Sequence, residues 1–382
     1  MDLLLSDLDG VLLESHSYHE SLSRTMDLVG EALGFGRGVL PLEGVLAFEA
    51  AGITSEWDSS AMCTALLLER LWQVHPDASL GLRLTEKPLP PHGWPVPDLA
   101  GFAGALSRDR STESRPRENA IELLRSLFAH LPPARVEALV SLVQDGRDPA
   151  RSLTFRLIQE LNLGSERFEA LYQVAPQLQT ESYLSTFDRP MLNPREREAL
   201  RAWIARPKHA FAIFTNRPSS GPDGTSGAPE AEIGLACAGL DGLPIVGMGE
   251  LGWLATQRGM ESHALLKPSP IHVLTAMQLA LGAALPDALM DAARLALDGS
   301  FGLGWSALDG ASVVAIEDAS KGVRSAATAA AALRKHGLNL RLTLLGIPDH
   351  PEKARALRDA GATIVTDIHQ ALDYLPGWHR PS

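Results

Sequence analysis

From Asn193 onward, short apolar runs alternate with capped amphipathic stretches. That alternation restricts the possible folds more than any other feature of the chain. The runs 210–215, 243–246, 313–317, 342–346 and 363–366 read as strands; helices are predicted over 193–205, 269–281, 286–297, 321–335 and 351–360. The first of these has a strong start signal in Asn193-Pro194-Arg195-Glu196: an amide at the N-cap, proline at the first position and glutamate at the third. Gly337 and Gly361 close two of the others. Strands that alternate with helices build a parallel sheet covered by helices.

One further strand lies far from this set. Leu3-Leu4-Leu5-Ser6 is an apolar run that stops abruptly at Asp7-Leu8-Asp9-Gly10-Val11. It is too short for a helix or a membrane span. A single strand is not a domain, so it joins the later sheet. Between about Glu14 and Asp188 the pattern is helical, as over 61–74, 117–130, 135–144, 153–162 and 167–174, with no convincing strand. A Pro- and Gly-dense stretch between His75 and Arg115, with KPLPPHGWPVP at its centre, reads as an irregular loop that can hold a weak helix near 98–106. The expected fold is therefore α/β, a doubly wound, Rossmann-like parallel sheet built from residues 1–14 and 190–382. A large all-helical segment, residues 15–189, is inserted into it.

The bulk properties exclude several functions. A net charge of −12 over 382 residues argues against a nucleic-acid binder, though not against a phosphorylated substrate held in a local cationic pocket. Cys63 and Cys237 are too few and too far apart for a disulfide framework or a zinc site, which fits the cytoplasm. No basic leader precedes the first apolar run and no stretch reaches spanning length, so neither a signal peptide nor a membrane segment is expected.

In open parallel sheets, ligands bind beyond the carboxyl ends of the strands. Four features fall at such places. Asp7 and Asp9 close the first strand. Thr215-Asn216-Arg217-Pro218 closes another, with a hydroxyl, an amide and a guanidinium in a row. Lys267 precedes Pro268 and a capped helix, and Glu317-Asp318-Ala319-Ser320-Lys321-Gly322 forms a second acidic strand end. Each has an ordinary explanation alone: a turn rich in Asp, a loop start, a solvated lysine, a helix N-terminus. Their order and common placement set them apart, because two carboxylates at one buried strand end need a cation or a proton to compensate them.

This ordered set resembles the motifs of the haloacid dehalogenase-like (HAD) superfamily, chiefly its phosphatases. The Glu317-Asp318-Ala319-Ser320-Lys321-Gly322 run is similar to the form found in the phosphoglycolate phosphatase and β-phosphoglucomutase branch. The resemblance covers residues 1–14 and about 190–382; the inserted helical segment looks like an enlarged cap by position only. It implies an Asp7 nucleophile that forms an aspartyl phosphate, with Asp9 as general acid and base. It places Lys267, Thr215, Asn216 and Arg217 around the phosphoryl group. It gives a Mg2+ cofactor held by Asp7, the Asp9 carbonyl, Asp318 and, directly or through water, Glu317. The implied activity is hydrolysis of a small organic phosphate. A phosphomutase shares the same motifs, and a binding or scaffold protein on a retained fold is the alternative from another class. Dehalogenases of the family lack a second aspartate at the position of Asp9, which favours phosphoryl transfer here.

Other features carry less. Gly34-Phe35-Gly36-Arg37-Gly38 lacks a Lys-Ser or Lys-Thr and reads as a turn between helices. His16 and His19 have ligand spacing but no third partner, and Ser55-Glu56-Trp57-Asp58 reads as a capped helix start, with a substrate-facing role as the alternative. The stretch 219–229 reads as a flexible insertion or as a mobile loop at the mouth of the site, and 301–310 as a Gly-rich connection.

Overall fold

The structure, a computed structural model, describes residues 1–78, 92–108, 116–224 and 227–380. The chain divides into two compact units, one made of Met1–Ser15 with Asp188–Ser382 and the other of His16–Phe187.

The first unit is an α/β unit containing, among its described residues, eight strands: β1 Asp2–Ser6, β2 Leu13–Glu14, β3 Arg189–Pro190, β4 His209–Phe214, β5 Ile245–Val246, β6 Ser312–Glu317, β7 Arg341–Gly346 and β8 Thr363–Ile364. Six of them form one parallel sheet in the order β5-β4-β1-β6-β7-β8. The N-terminal strand is thus central, flanked by β4 and β6, and the winding reverses across it. That is the topological switch point at which open α/β sheets bind ligands.

Strand periodicity explains the layers. Leu3 and Leu5 share a face with Ala210, Ala212, Phe214, Val313 and Ala315, and pack under helices Met248–Arg258, Pro270–Ala280, Leu285–Leu297 and Ser320–Lys335. Leu4, Phe211, Ile213, Val314 and Ile316 point the other way, onto Leu200 and Trp203 of Pro194–Ile204, Leu235 of Glu230–Cys237, and Ile368 and Leu372. Both faces of the sheet are covered, so its central strands read as continuous apolar runs. The Asn193 start signal is realised as a full capping box: Asn193 Oδ1 accepts from Glu196 N at 3.1 Å and Glu196 Oε2 from Asn193 N at 3.0 Å.

Three helices of this unit were not expected, namely Glu230–Cys237, Met248–Arg258 and Ile368–Leu372. The first contains Gly234 and the second Gly249 and Gly252, which lowers intrinsic helix propensity by about 1 kcal/mol each. Burial of Leu235, Leu251 and Leu254 overrides it. The stretch 219–229 is not a loose insertion over its described residues; residues 225–226 lie outside them. The Ser219 hydroxyl is buried and donates to Glu250 Oε2, the Ser220 N–H donates to Glu232 Oε1 at 2.8 Å, and Ala231 N to Pro218 O at 2.8 Å. The Gly-rich stretch after Phe301 forms a short 3-10 helix, Leu303–Leu308, anchored by buried Trp305 and Leu308.

Strands β2 and β3 pair antiparallel, Leu13 with Pro190 and Glu14 with Arg189. They are the two places where the chain leaves this unit and returns to it.

The second unit contains no strand among its described residues. Helix Ser17–Leu33 packs on Glu56–Val74 and Leu153–Leu163; Glu56–Val74 packs on Pro133–Gln144, and Leu42–Ala50 on Leu99–Arg108. Met26, Val29, Phe48, Met62, Leu67, Trp72, Leu124 and Val143 fill the core. Gly34, at φ 81°, ends the first helix in the left-handed conformation, so its glycines serve a turn. Much of the Pro-rich stretch lies outside the described residues.

Candidate active site

Register brings the predicted strand ends together. Ser6 lies between Ile213 and Ile316, so Asp7 emerges level with Phe214 and Glu317, and its N–H donates to Ile316 O at 2.9 Å. Its Oδ1 accepts from Leu8 N at 2.8 Å and lies 3.0 Å from Lys267 Nζ. The same ammonium donates to Glu317 Oε1 at 2.6 Å and sits 4.4 Å from the centre of the Phe214 ring. Glu317 Oε2 accepts the N–H groups of Asp318 and Ala319 at 3.2 and 3.1 Å. Asp318 Oδ2 pairs with Lys353 at 2.6 Å.

Carboxylate oxygens of Asp7, Glu317 and Asp318 all lie within 4.8 Å of one another. Burial, with Lys267 opposing and the neighbouring acids adding, pushes Asp7 up to about 6. Glu317 is pushed up to about 8 by burial and by Asp7, again against the pull of Lys267. Asp318 is raised by burial, with Lys353 opposing. Lys267 is held well above the ordinary lysine value by its two carboxylates, which outweigh its own burial. Burial disfavours the charged form of the three acids and their mutual repulsion adds to it, while the same crowding of acids holds the proton on Lys267.

Glycines make room for this packing. Gly10 adopts φ +68°, and a Cβ there would stand 2.8 Å from Asp318 Oδ2. At Gly322 a Cβ would fall 1.6 Å from Glu317 Oε1, closer than any atom can approach.

Thr215, one residue beyond β4, is buried; its N–H donates to Val246 O at 2.9 Å and its Oγ1 accepts from Arg217 N at 3.2 Å. Because the oxygen already accepts, its one proton is left to donate. Asn216 beside it is exposed. His272 supports this loop from below, with Nε2 2.9 Å from Val246 O; burial lowers it to about 3, so it is neutral and donates from that nitrogen.

Arg217 departs from expectation. Its guanidinium is engaged by carboxylates: Nε lies 3.0 and 2.9 Å from the two oxygens of Asp9, and Nη2 lies 2.5 Å from Asp9 Oδ1 and 2.8 Å from Asp188 Oδ2. A fork docked on two carboxylates is committed to them and not to a phosphoryl group.

Asp188, Ser15, Lys353, His272 and the Ser219–Glu250 pair escaped the sequence reading. Lys353 had a findable signal, since it sits in the first turn of the helix after β7, a strand end as eligible as those of β1, β4 and β6. Asp188 had a weaker one, at the return point of the inserted segment.

The donor set fits a divalent cation. Asp7, Glu317 and Asp318 crowd three carboxyl groups beside two ammonium groups, Lys267 and a Lys353 shared with Asp349, and their raised values record the shortage of positive charge. A hard cation with oxygen ligands would supply the missing charge. A consequence is testable without any substrate. A carboxyl group raised above its unfolded value stabilises the fold most when protonated, so its contribution is present below the ordinary carboxylate range and lost as pH rises. The window here runs to about 6 for Asp7, about 7 for Glu250, which burial also raises, and about 8 for Glu317. The Tm of chelator-treated protein is expected to fall from pH ~5 to pH ~8.5, and Glu317→Gln to flatten the upper part. Calorimetric scans showing a flat or rising Tm would contradict the charge balance.

No family model and no curated protein matches the chain in sequence. Among solved structures, it is similar to the X-ray structure of a Northeast Structural Genomics Consortium target, with a TM-score of 0.63 and 15% identity over 96% of each chain. A phosphatase, Tt82, from Thermococcus thioreducens aligns with a TM-score of 0.46 and 14% identity, over 94% of this chain and 99% of that one. The first likeness establishes the fold: a parallel α/β sheet flanked by helices, accompanied by a further helical unit. No helix among the described residues is long and apolar enough to cross a membrane.

Proposed function

We propose that the protein is a phosphatase of the HAD type that hydrolyses a small phosphorylated metabolite in the cytoplasm through a phosphoryl group carried transiently by Asp7. The observation that supports it most is the Asp7 carboxylate held 3.0 Å from the buried ammonium of Lys267 at the switch point of the sheet, beside two further carboxylates.

Leu8 N and Lys267 both hold Asp7 Oδ1, which supports attack by the other oxygen. As the Asp7 oxygen bonds to phosphorus, the ester P–O bond breaks and the leaving oxygen takes a proton from Asp9. Asp9 then takes a proton from water, which attacks the same phosphorus and breaks its bond to Asp7, releasing inorganic phosphate. Asp9 suits both tasks because its side chain is 33% exposed, unlike the enclosed Asp7. Lys267, the Thr215 hydroxyl and the N–H of Asn216 bind the phosphoryl oxygens.

Magnesium would be held by Asp7, Asp318, Glu317 and the Asp9 carbonyl, and when bound supplies the positive charge that lets a phosphate dianion approach a carboxylate. Turnover of p-nitrophenyl phosphate is expected to vanish in chelator and return with Mg2+, whereas Ca2+, with its looser geometry, restores little. Glu317 is held in place by Lys267 and two backbone donors, so Asp318→Ala is expected to weaken Mg2+ binding by calorimetry more than Glu317→Ala does. Full activity in excess chelator, or the reverse order of affinities, would contradict the assignment.

A further inference from the structure

Arg217 touches more than Asp9. Its Nη2 also lies 3.0 Å from Ser15 Oγ, and it pairs with Asp188, whose side chain is fully enclosed. Ser15 follows β2 and Asp188 precedes β3, so one guanidinium joins Asp9 to both crossing points of the chain. The loop that carries Asp9 is fastened to the same strands, since Gly10 N donates to Leu13 O at 2.8 Å and Met191 N to Leu12 O at 3.0 Å. Space for the guanidinium is provided by Gly234, where a Cβ would stand 2.7 Å from Nη1.

We propose that Arg217, backed by Asp188, is a positioning residue that orients the Asp9 carboxyl group for proton transfer to the leaving oxygen, with its own position set by the two crossing strands. The inference rests on the phosphatase reading above and extends it. Asp9 is partly exposed and on a loop, and among the described residues its carboxylate is held by the Arg217 fork, whereas Arg217 itself is 1% exposed. A planar guanidinium that engages both oxygens at once sets direction as well as distance; an ammonium would set distance only.

The test compares leaving groups. A general acid matters little when the leaving oxygen is a weak base and greatly when it is a strong one, and its loss is worth about 10²- to 10⁴-fold. Arg217→Met alone takes a charge partner from the enclosed Asp188 and risks the fold, so the informative protein is Arg217→Met/Asp188→Asn, which removes both charges at similar volume. For this double variant, kcat on an alkyl phosphate is expected to fall about 100-fold or more, kcat on p-nitrophenyl phosphate less than about 10-fold, and KM to change little for either. Arg217→Lys is expected to show the same asymmetry, because the fork is lost while the charge stays. Equal losses on both substrates, or a raised KM with kcat retained, would overturn the positioning role while leaving the phosphatase reading intact. No turnover of either substrate by the wild-type protein with Mg2+ would overturn that reading and this inference with it.

Discussion

Asp7→Asn is expected to abolish turnover, by about a thousandfold or more, in a protein that remains folded. Asparagine keeps the shape of the side chain and its carbonyl oxygen can still accept from Leu8 N, but it cannot carry a phosphoryl group. The stability expectation runs in the opposite direction from activity. Asp7 is enclosed and crowded by Glu317 and Asp318, and is raised to about 6, so at pH ~8 its ionised form is a cost to the metal-free fold. The variant is therefore expected to melt at or above the wild-type temperature in chelator at that pH. Calorimetry and a steady-state assay on one preparation check both halves. A folded variant with near-normal rates would remove Asp7 from the chemistry, and a variant that melts lower in chelator would remove it from the charge cluster.

Lys267→Met is expected to be damaging on both counts. The apolar stem is kept and can still lie against Phe214, but the ammonium that faces Asp7 and Glu317 is gone. Removing one partner of an enclosed ion pair leaves uncompensated charge, at a cost of about 3–5 kcal/mol. Here the carboxylates can escape by taking up protons. The penalty is therefore expected to grow with pH and to shrink as pH falls, and because Lys267 itself lowers both acids, the variant takes up protons above the values of about 8 for Glu317 and about 6 for Asp7. Loss of a preorganised cation beside the transferring group is expected to lower kcat by about 10²- to 10³-fold or more. Urea unfolding at several pH values checks the first expectation. A penalty independent of pH would mean that Lys267 acts through packing, not charge.

The legibility of this protein in its sequence divides along physical lines. Period-2 and period-3.6 patterns are local, and they located the long central strands β1, β4, β6 and β7 and the capped helices after Asn193 and Ser269. The edge strands shrank to Ile245–Val246 and Thr363–Ile364, because pairing on one side sustains fewer residues. Helices Glu230–Cys237 and Met248–Arg258 hid because their glycines lower propensity while tertiary burial supplies the stability. The site was legible where chemistry follows a strand end, and the fold places Asp7, Thr215, Glu317 and Asp318 just there, with Lys267 between Asp7 and Glu317. What no local pattern conveys is which charge faces which. That Arg217 turns to Asp9 and Asp188, or that Lys353 reaches Asp318 across 35 residues, depends on the closure of the sheet.

The proposed chemistry requires a covalent bond between phosphorus and Asp7. The direct measurement is to quench the protein in acid during steady-state turnover of p-nitrophenyl phosphate with Mg2+, digest it and examine the peptides by mass spectrometry. A phosphoryl group is expected on the N-terminal peptide carrying Asp7, labile to hydroxylamine as an acyl phosphate is, and absent from Asp7→Asn. Sustained turnover with that peptide unmodified, or with the phosphoryl group on another residue, would contradict the account.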